Sequence, residues 1–192
     1  MSIRDRNSTP PHHNVGNKWR IKKGDPVIME KTKDDIDFLK LAQSYRKRGF
    51  SVIPCQPRSK KSMIPWAEYQ KRLPTEEEVN SWWEQTPNAI IGIVLGPVSG
   101  IITLEVDDIK CMEDKFISNT PQAISGGKRL PHFYFRYPEG AKNFKLVEKG
   151  RELFSIRCDG QYIIAPPSMH PSGNPYSWAP GLGVHEVEPA DP

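Results

Sequence analysis

Cysteine is scarce in this chain and poorly placed for chemistry. Cys55, Cys111 and Cys158 lie far apart with no C-x-x-C pair, which excludes a standard zinc ligand set and a disulfide framework and predicts a reducing, cytoplasmic setting. Long hydrophobic runs are missing too. No window approaches the roughly 20 uninterrupted apolar residues of a membrane span, and residues 1–24 lack the apolar segment of a secretory signal, so a soluble chain with no membrane partner is expected. The pattern G-x-x-x-x-G-K-[ST] does not occur, which excludes a P-loop NTPase within these residues. Cationic excess is absent from most of the chain: residues 33–192 balance to zero. The net charge of +4 sits in residues 1–32, where seven Lys or Arg face three acids. The Ser, Pro, His and Asn content of that stretch predicts a basic, disordered tail able to attract phosphate backbones.

What remains suits one domain over residues 33–180, followed by a polar tail or linker over 181–192. Thr32 to Asp35 reads as a helix cap, and Ile36, Leu39, Ala42 and Tyr45 recur at helical spacing until Gly49 offers a stop. Phe50 to Pro54 reads as a short strand ended by its proline. The basic loop Arg58-Ser59-Lys60-Lys61-Ser62 follows directly, and loops at strand ends often carry ligands. A second helix opens at Thr75-Glu76-Glu77-Glu78, a capping box, with Val79, Trp82 and Trp83 as its core face. Asn88 to Gly96 is a continuous apolar strand bounded by glycine, and Pro97-Val98-Ser99-Gly100 is a turn that predicts antiparallel pairing with the next strand.

That next strand is the centre of the chain. Gly100-Ile101-Ile102-Thr103-Leu104-Glu105-Val106-Asp107-Asp108 is a β-branched run that ends in carboxylates. Alternation along a strand puts Glu105 and Asp107 on one face, roughly 6 to 7 Å apart, with Leu104 and Val106 on the other. Paired carboxylates on a rigid strand end supply hard oxygen ligands for Mg²⁺ or Mn²⁺. A short helix is expected over 108–118. Ser125-Gly126-Gly127-Lys128-Arg129 then offers backbone that an anion can approach closely, and the following strand presents His132 and Tyr134 on one face and Phe133 and Phe135 on the other. Leu153 to Cys158 and Gln161 to Ala165 flank Asp159-Gly160, a dipeptide favoured by tight hairpin turns. Pro166-Pro167-Ser168-Met169-His170-Pro171-Ser172-Gly173 is an irregular loop leading to Tyr176-Ser177-Trp178.

In this order, from about residue 35 to 178, these parts resemble the catalytic domain of the primase-polymerase branch of the archaeo-eukaryotic primase superfamily. The resemblance implies an α+β fold, a compact core with an RRM-like antiparallel or mixed sheet packed by helices. It implies metal-dependent, template-directed nucleotidyl transfer, with nucleoside triphosphates and a DNA template as partners, Mg²⁺ or Mn²⁺ as cofactor, and any helicase a separate protein. Glu105 and Asp107 match the first metal motif, and His132 matches the histidine that contacts the incoming phosphates. Ser125, Gly126, Gly127 and Lys128 would lie beside the triphosphate, and Arg157 and Lys61 complete the expected nucleotide-binding set.

Two departures stand out. The first motif is Glu-x-Asp rather than the usual Asp-x-Asp or Asp-x-Glu, and Ser155 occupies the place of the family's third carboxylate. Asp159 is the candidate replacement as a metal ligand if a bulge swings it inward, but it lies roughly 13 Å along the strand from Ser155, and its place in an Asp-Gly turn is the favoured explanation. The alternative reading is therefore a catalytically degenerate primase-like module that binds nucleotide or single strands. A phosphoesterase using the same carboxylates is a third.

Overall fold

Asp37 starts the first helix. In a computed structural model describing residues 36–108, 110 and 119–192, its carboxylate accepts the Lys40 N–H at 3.2 Å and α1 runs over Phe38–Lys47. The cap expected at 32–35, the basic tail over 1–32 and most of the helix expected over 108–118 lie outside the described residues. Ala42 and Tyr45 are buried, and Arg46 and Lys47 sit at the negative end of the helix. α2 covers Glu76–Gln85 and has the capping box read from sequence: Thr75 Oγ1 accepts from the Glu78 N–H and Glu78 Oε2 from the Thr75 N–H. Trp83 is a core residue, its indole donating to the Ala89 carbonyl at 2.9 Å.

Among the described residues there are nine strands in chain order: β1 Ser51–Cys55, β2 Ile90–Val94, β3 Ile101–Val106, β4 Gln122–Ile124, β5 Pro131–Arg136, β6 Phe144–Glu148, β7 Arg151–Arg157, β8 Tyr162–Ile164 and β9 Ser177–Trp178. They form two antiparallel sheets, one ordered β1-β2-β8 and the other β6-β7-β3-β5-β4-β9. The fold is α+β, as expected of a compact primase-like domain. Pro54 lies inside β1 rather than ending its pairing, because β1 is an edge strand where a missing N–H costs no ladder bond. Among the described residues no helix is long and apolar enough to cross a membrane.

Two strand pairings differ from the sequence reading. β2 does not pair with β3; one isolated bridge, Gly96 to Ile101, closes the turn between them, and the turn carries the chain from the small sheet to the large one. β7 and β8 also belong to different sheets, so Asp159-Gly160 is a crossover rather than a hairpin, with positive φ at Gly160 alone. The cause lies in β2, whose five residues are all buried. β1 and β8 occupy both hydrogen-bonding edges of β2, which leaves none for β3, while helices and the large sheet cover its apolar side chains.

The face of the large sheet that carries Glu105 also carries Ile101, Ala123 and Tyr134, which pack into one core with Tyr45, Trp83 and Ile91. The site is thus the polar end of a buried face. Residues 181–192 are docked rather than a free tail: Val184 is buried, Arg48 pairs with Glu188 and Arg136 with Asp191, and Ala190 bonds to β5 through its carbonyl.

Candidate active site

Register decides which side chains meet Glu105. On β3 it stands directly between His132 of β5 and Ser155 of β7, while the preceding row on the same face is Tyr134, Thr103 and Arg157. Asp107 lies one step beyond Glu105, where the strand leaves the ladder and its N–H turns to the Leu153 carbonyl. The alternation read from sequence therefore brings Glu105, Asp107 and His132 together, with Ser155 opposite Glu105 where a carboxylate was looked for.

Each acid has a cation. Arg157 Nε lies 2.8 Å from Glu105 Oε2, and Lys128 Nζ lies 2.7 Å from Asp107 Oδ1. His132 Nδ1 is 3.9 Å from Glu105 Oε1, too far for a hydrogen bond. The Arg157 contact is an ion pair whose N–H is not aimed at the oxygen, so Nε counts as a buried donor without a partner. Among the described residues the other such side-chain atoms are Thr103 Oγ1, Tyr134 Oη and Ser155 Oγ. All four belong to the two rows around Glu105. Unpaired buried polar atoms cost about 1–3 kcal/mol each, and their concentration here marks a face built to meet polar atoms that the chain does not itself supply.

A cleft of about 270 Å³ opens onto this face, walled by Glu105, His132 and Arg157 on one side and by Tyr162, Tyr176, Trp66 and Lys60 on the other. Tyr176 is its hub. The rings of His132 and His170 meet it edge-on at 6.2 and 5.6 Å, and Lys60 Nζ sits 5.8 Å above it. Burial pulls the His132 imidazole below its ordinary pKa despite the opposing charge of Glu105, and burial likewise lowers Lys60. His170 is lowered by burial, with Lys60 and His132 adding to it. A neutral His132 is a hydrogen-bond donor or acceptor rather than a charge.

The glycine loop is shaped by a neighbour. A Cβ on Gly126 would lie 2.4 Å from His170 Cβ and 2.5 Å from the Asn174 carbonyl oxygen. The Gly126 carbonyl accepts from Ser172 Oγ and Asn174 Nδ2, and the Gly127 N–H donates to Ser125 Oγ. Ser125, Gly126 and Gly127 thus seat the 168–175 loop, and Lys128 reaches from there to Asp107.

Two expected residues are elsewhere. Lys61 is exposed and does not line the cleft; its neighbour Lys60 does. Asp159 is held beside Gly96 and Tyr137, at the opposite end of β3 from Glu105, with Tyr137 Oη 3.3 Å from its carboxylate. Sequence reasoning also passed over Tyr162, Trp66, Tyr176 and His170 as site residues. The basic loop was the available signal for Lys60, but a positive φ of 62° there breaks the alternation that would have told it from Lys61.

No three His, Cys, Asp or Glu side chains converge as a metal cage among the described residues. The two carboxylates Glu105 and Asp107 do fit a hard cation of another kind, since Mg²⁺ is usually held by one or two carboxylates together with phosphate oxygens of the substrate. The face therefore offers partial ion ligation beside Arg157, Lys60 and Lys128, a donor set that suits a polyphosphate. A search of curated proteins found no match. The sequence model of the bifunctional DNA primase/polymerase N-terminal family matches residues 42–192, a span that includes both sheets and every residue of the cleft, and the chain belongs to that family.

Proposed function

We propose that the cleft binds the triphosphate of a nucleoside triphosphate and that the domain joins the nucleotide to a strand paired with a DNA template, releasing pyrophosphate. The observation that carries this reading is the row His132, Glu105, Ser155 with Arg157 at 2.8 Å and Lys60 across the cleft. Glu105 and Asp107 would hold the divalent ion, Mg²⁺ or Mn²⁺, which when bound neutralises charge on the phosphate oxygens. Arg157 and Lys60 supply fixed positive charge in a site partly closed to water, where it acts more strongly than in bulk solvent. His132, kept neutral by burial, donates one N–H to a phosphate oxygen. Tyr176 holds His132, Lys60 and His170 in their relative positions.

Purified protein given template, Mn²⁺ and labelled nucleotides should form product, and the Glu105→Ala/Asp107→Ala double variant should not. Equal behaviour of the two, both without product, sinks the reading.

A second reading, a module that binds nucleotide without efficient transfer, is favoured by Ser155, whose hydroxyl is a poor metal ligand. Large gain of incorporation on Ser155→Asp supports it.

A further inference from the structure

The larger sheet lays out a row across four strands: Lys145 on β6, Ser155 on β7, Glu105 on β3 and His132 on β5. A second divalent ion on this face needs a third hard anionic ligand, and no position in the row provides one. Ser155 is 2 % exposed and its Oγ has no partner among the described residues. Asp159 is committed to Tyr137 and Gly96 at the far end of β3. What does stand beside Ser155 is a cation. Arg157, two residues along on the same face, touches Oε2 of Glu105 with Nε while leaving Oε1 without a hydrogen bond toward His132.

We propose that this site takes one divalent ion, on Glu105 and Asp107, and that the Arg157 guanidinium occupies the place of a second, meeting the ligand's phosphate oxygens with Ser155 Oγ beside it. The inference rests on the reading that the cleft takes a nucleoside triphosphate. Charge supports it. Glu105 and Asp107 face Arg157, Lys60 and Lys128, so one divalent ion brings a triphosphate of about four negative charges to within about one charge of neutrality. A second would carry the site about as far past neutrality, and among the described residues no third carboxylate joins Glu105 and Asp107 to hold it. A guanidinium is always charged and presents several donors in one plane, so it needs no ligand set of its own.

The test counts ions on the full chain with a non-hydrolysable nucleoside triphosphate, using Mn²⁺ and its paramagnetic resonance signal. One bound Mn²⁺ per chain is expected. Two in the wild type overturn the inference while leaving the triphosphate reading intact; failure of the analogue to bind at all, with or without Mn²⁺, overturns that reading and the inference with it. Ser155→Asp should raise the count to two. Arg157→Gln should leave the count at one and weaken analogue binding about tenfold to a hundredfold, the value of charge-assisted hydrogen bonds, and adding Ser155→Asp should restore part of that loss. A Ser155→Asp chain that melts like the wild type yet still binds one ion overturns the role given to Ser155. The wild-type count stands whether or not either variant folds.

Discussion

The hydroxyl of Tyr162 grips the backbone of the Lys60 loop from both sides. It donates to the Lys60 carbonyl at 2.8 Å and accepts the Ser62 N–H at 3.1 Å. Between these bonds the chain takes a left-handed turn at Lys60, φ 62°, a conformation a lysine adopts only where surrounding contacts impose it. The result is that Lys60, and not Lys61, faces the cleft over Tyr176. Tyr162 is itself packed edge-on against Trp66 at 5.0 Å, so a rigid small-sheet strand aims a flexible cation.

Removing the hydroxyl should therefore act through Lys60. Lys60→Met is expected to weaken binding of a triphosphate analogue about tenfold, the value of one charge-assisted contact, and to raise the melting temperature, because burial disfavours the charged amine. Tyr162→Phe should weaken binding by a smaller factor in the wild type and by none in the Lys60→Met background. Calorimetric titration of the four proteins gives the cycle, and full additivity would show that Tyr162 does not position Lys60.

Glu105→Gln keeps shape and removes charge. Arg157 then loses its carboxylate, and the site keeps Asp107 as its one carboxylate ligand. Mn²⁺ affinity should fall at least about tenfold and nucleotide incorporation about a hundredfold or more, while stability falls by about 1–3 kcal/mol from the stranded guanidinium. Undiminished Mn²⁺ binding in a folded variant would exclude Glu105 as a ligand.

Local patterns carried much of this fold. The Thr75 to Glu78 capping box, the buried Val79 and Trp83, and the alternation that puts Glu105 with Asp107 and His132 with Tyr134 are decided within a few residues, and sequence shows them. The pairing of Ser155 with Glu105 matches what the family resemblance implies for the place of a third carboxylate, and no local pattern in the sequence gives it. Long-range choices were not readable either. A glycine turn such as 97–100 serves a hairpin or a sheet crossover equally well, and only competition for the two sides of β2 decides between them. The docking of 181–192 depends on Val184 finding the core and on the Leu182 and Ala190 carbonyls accepting from the Gln122 and Arg136 N–H groups, far away in sequence. In the same way, Lys60 and Lys61 are equivalent until a tyrosine a hundred residues later bends the loop.

Gly126→Ala should be more harmful than Gly127→Ala. The added methyl at 126 meets the stem of His170 and a backbone carbonyl at 2.4 and 2.5 Å, neither of which can yield without moving the 168–175 loop. At 127 it meets the His170 ring at 3.0 Å, a contact that a small ring rotation relieves. Overpacking of the first kind costs about 1–3 kcal/mol, measurable by urea denaturation. Equal costs at the two positions would mean the His170 loop is not seated on Gly126.

Acid should weaken the fold in two separate windows. Burial lowers His132, His170 and His185 below the ordinary histidine value, so between that value, about 6.5, and the lower folded values the unfolded chain binds protons that the folded chain refuses. Stability then rises with pH across this range and is lost as pH falls through about 6.5. His132 is flanked by Glu105, which opposes the shift, and by Lys60 and Arg157, which reinforce it, and burial outweighs them. Glu78 acts in the same sense in a lower window: hydrogen bonds from Arg72 hold its carboxyl down to about 2, so its contribution is present above the unfolded value of about 4.3 and disappears only as pH falls below that. Urea midpoints at pH 7.5 and 5.5 isolate the histidine window. His132→Gln should narrow the difference between those two midpoints, and Arg72→Met should leave it unchanged while flattening the decline below pH 4.3. An unaltered difference in His132→Gln would remove the buried imidazole as the cause.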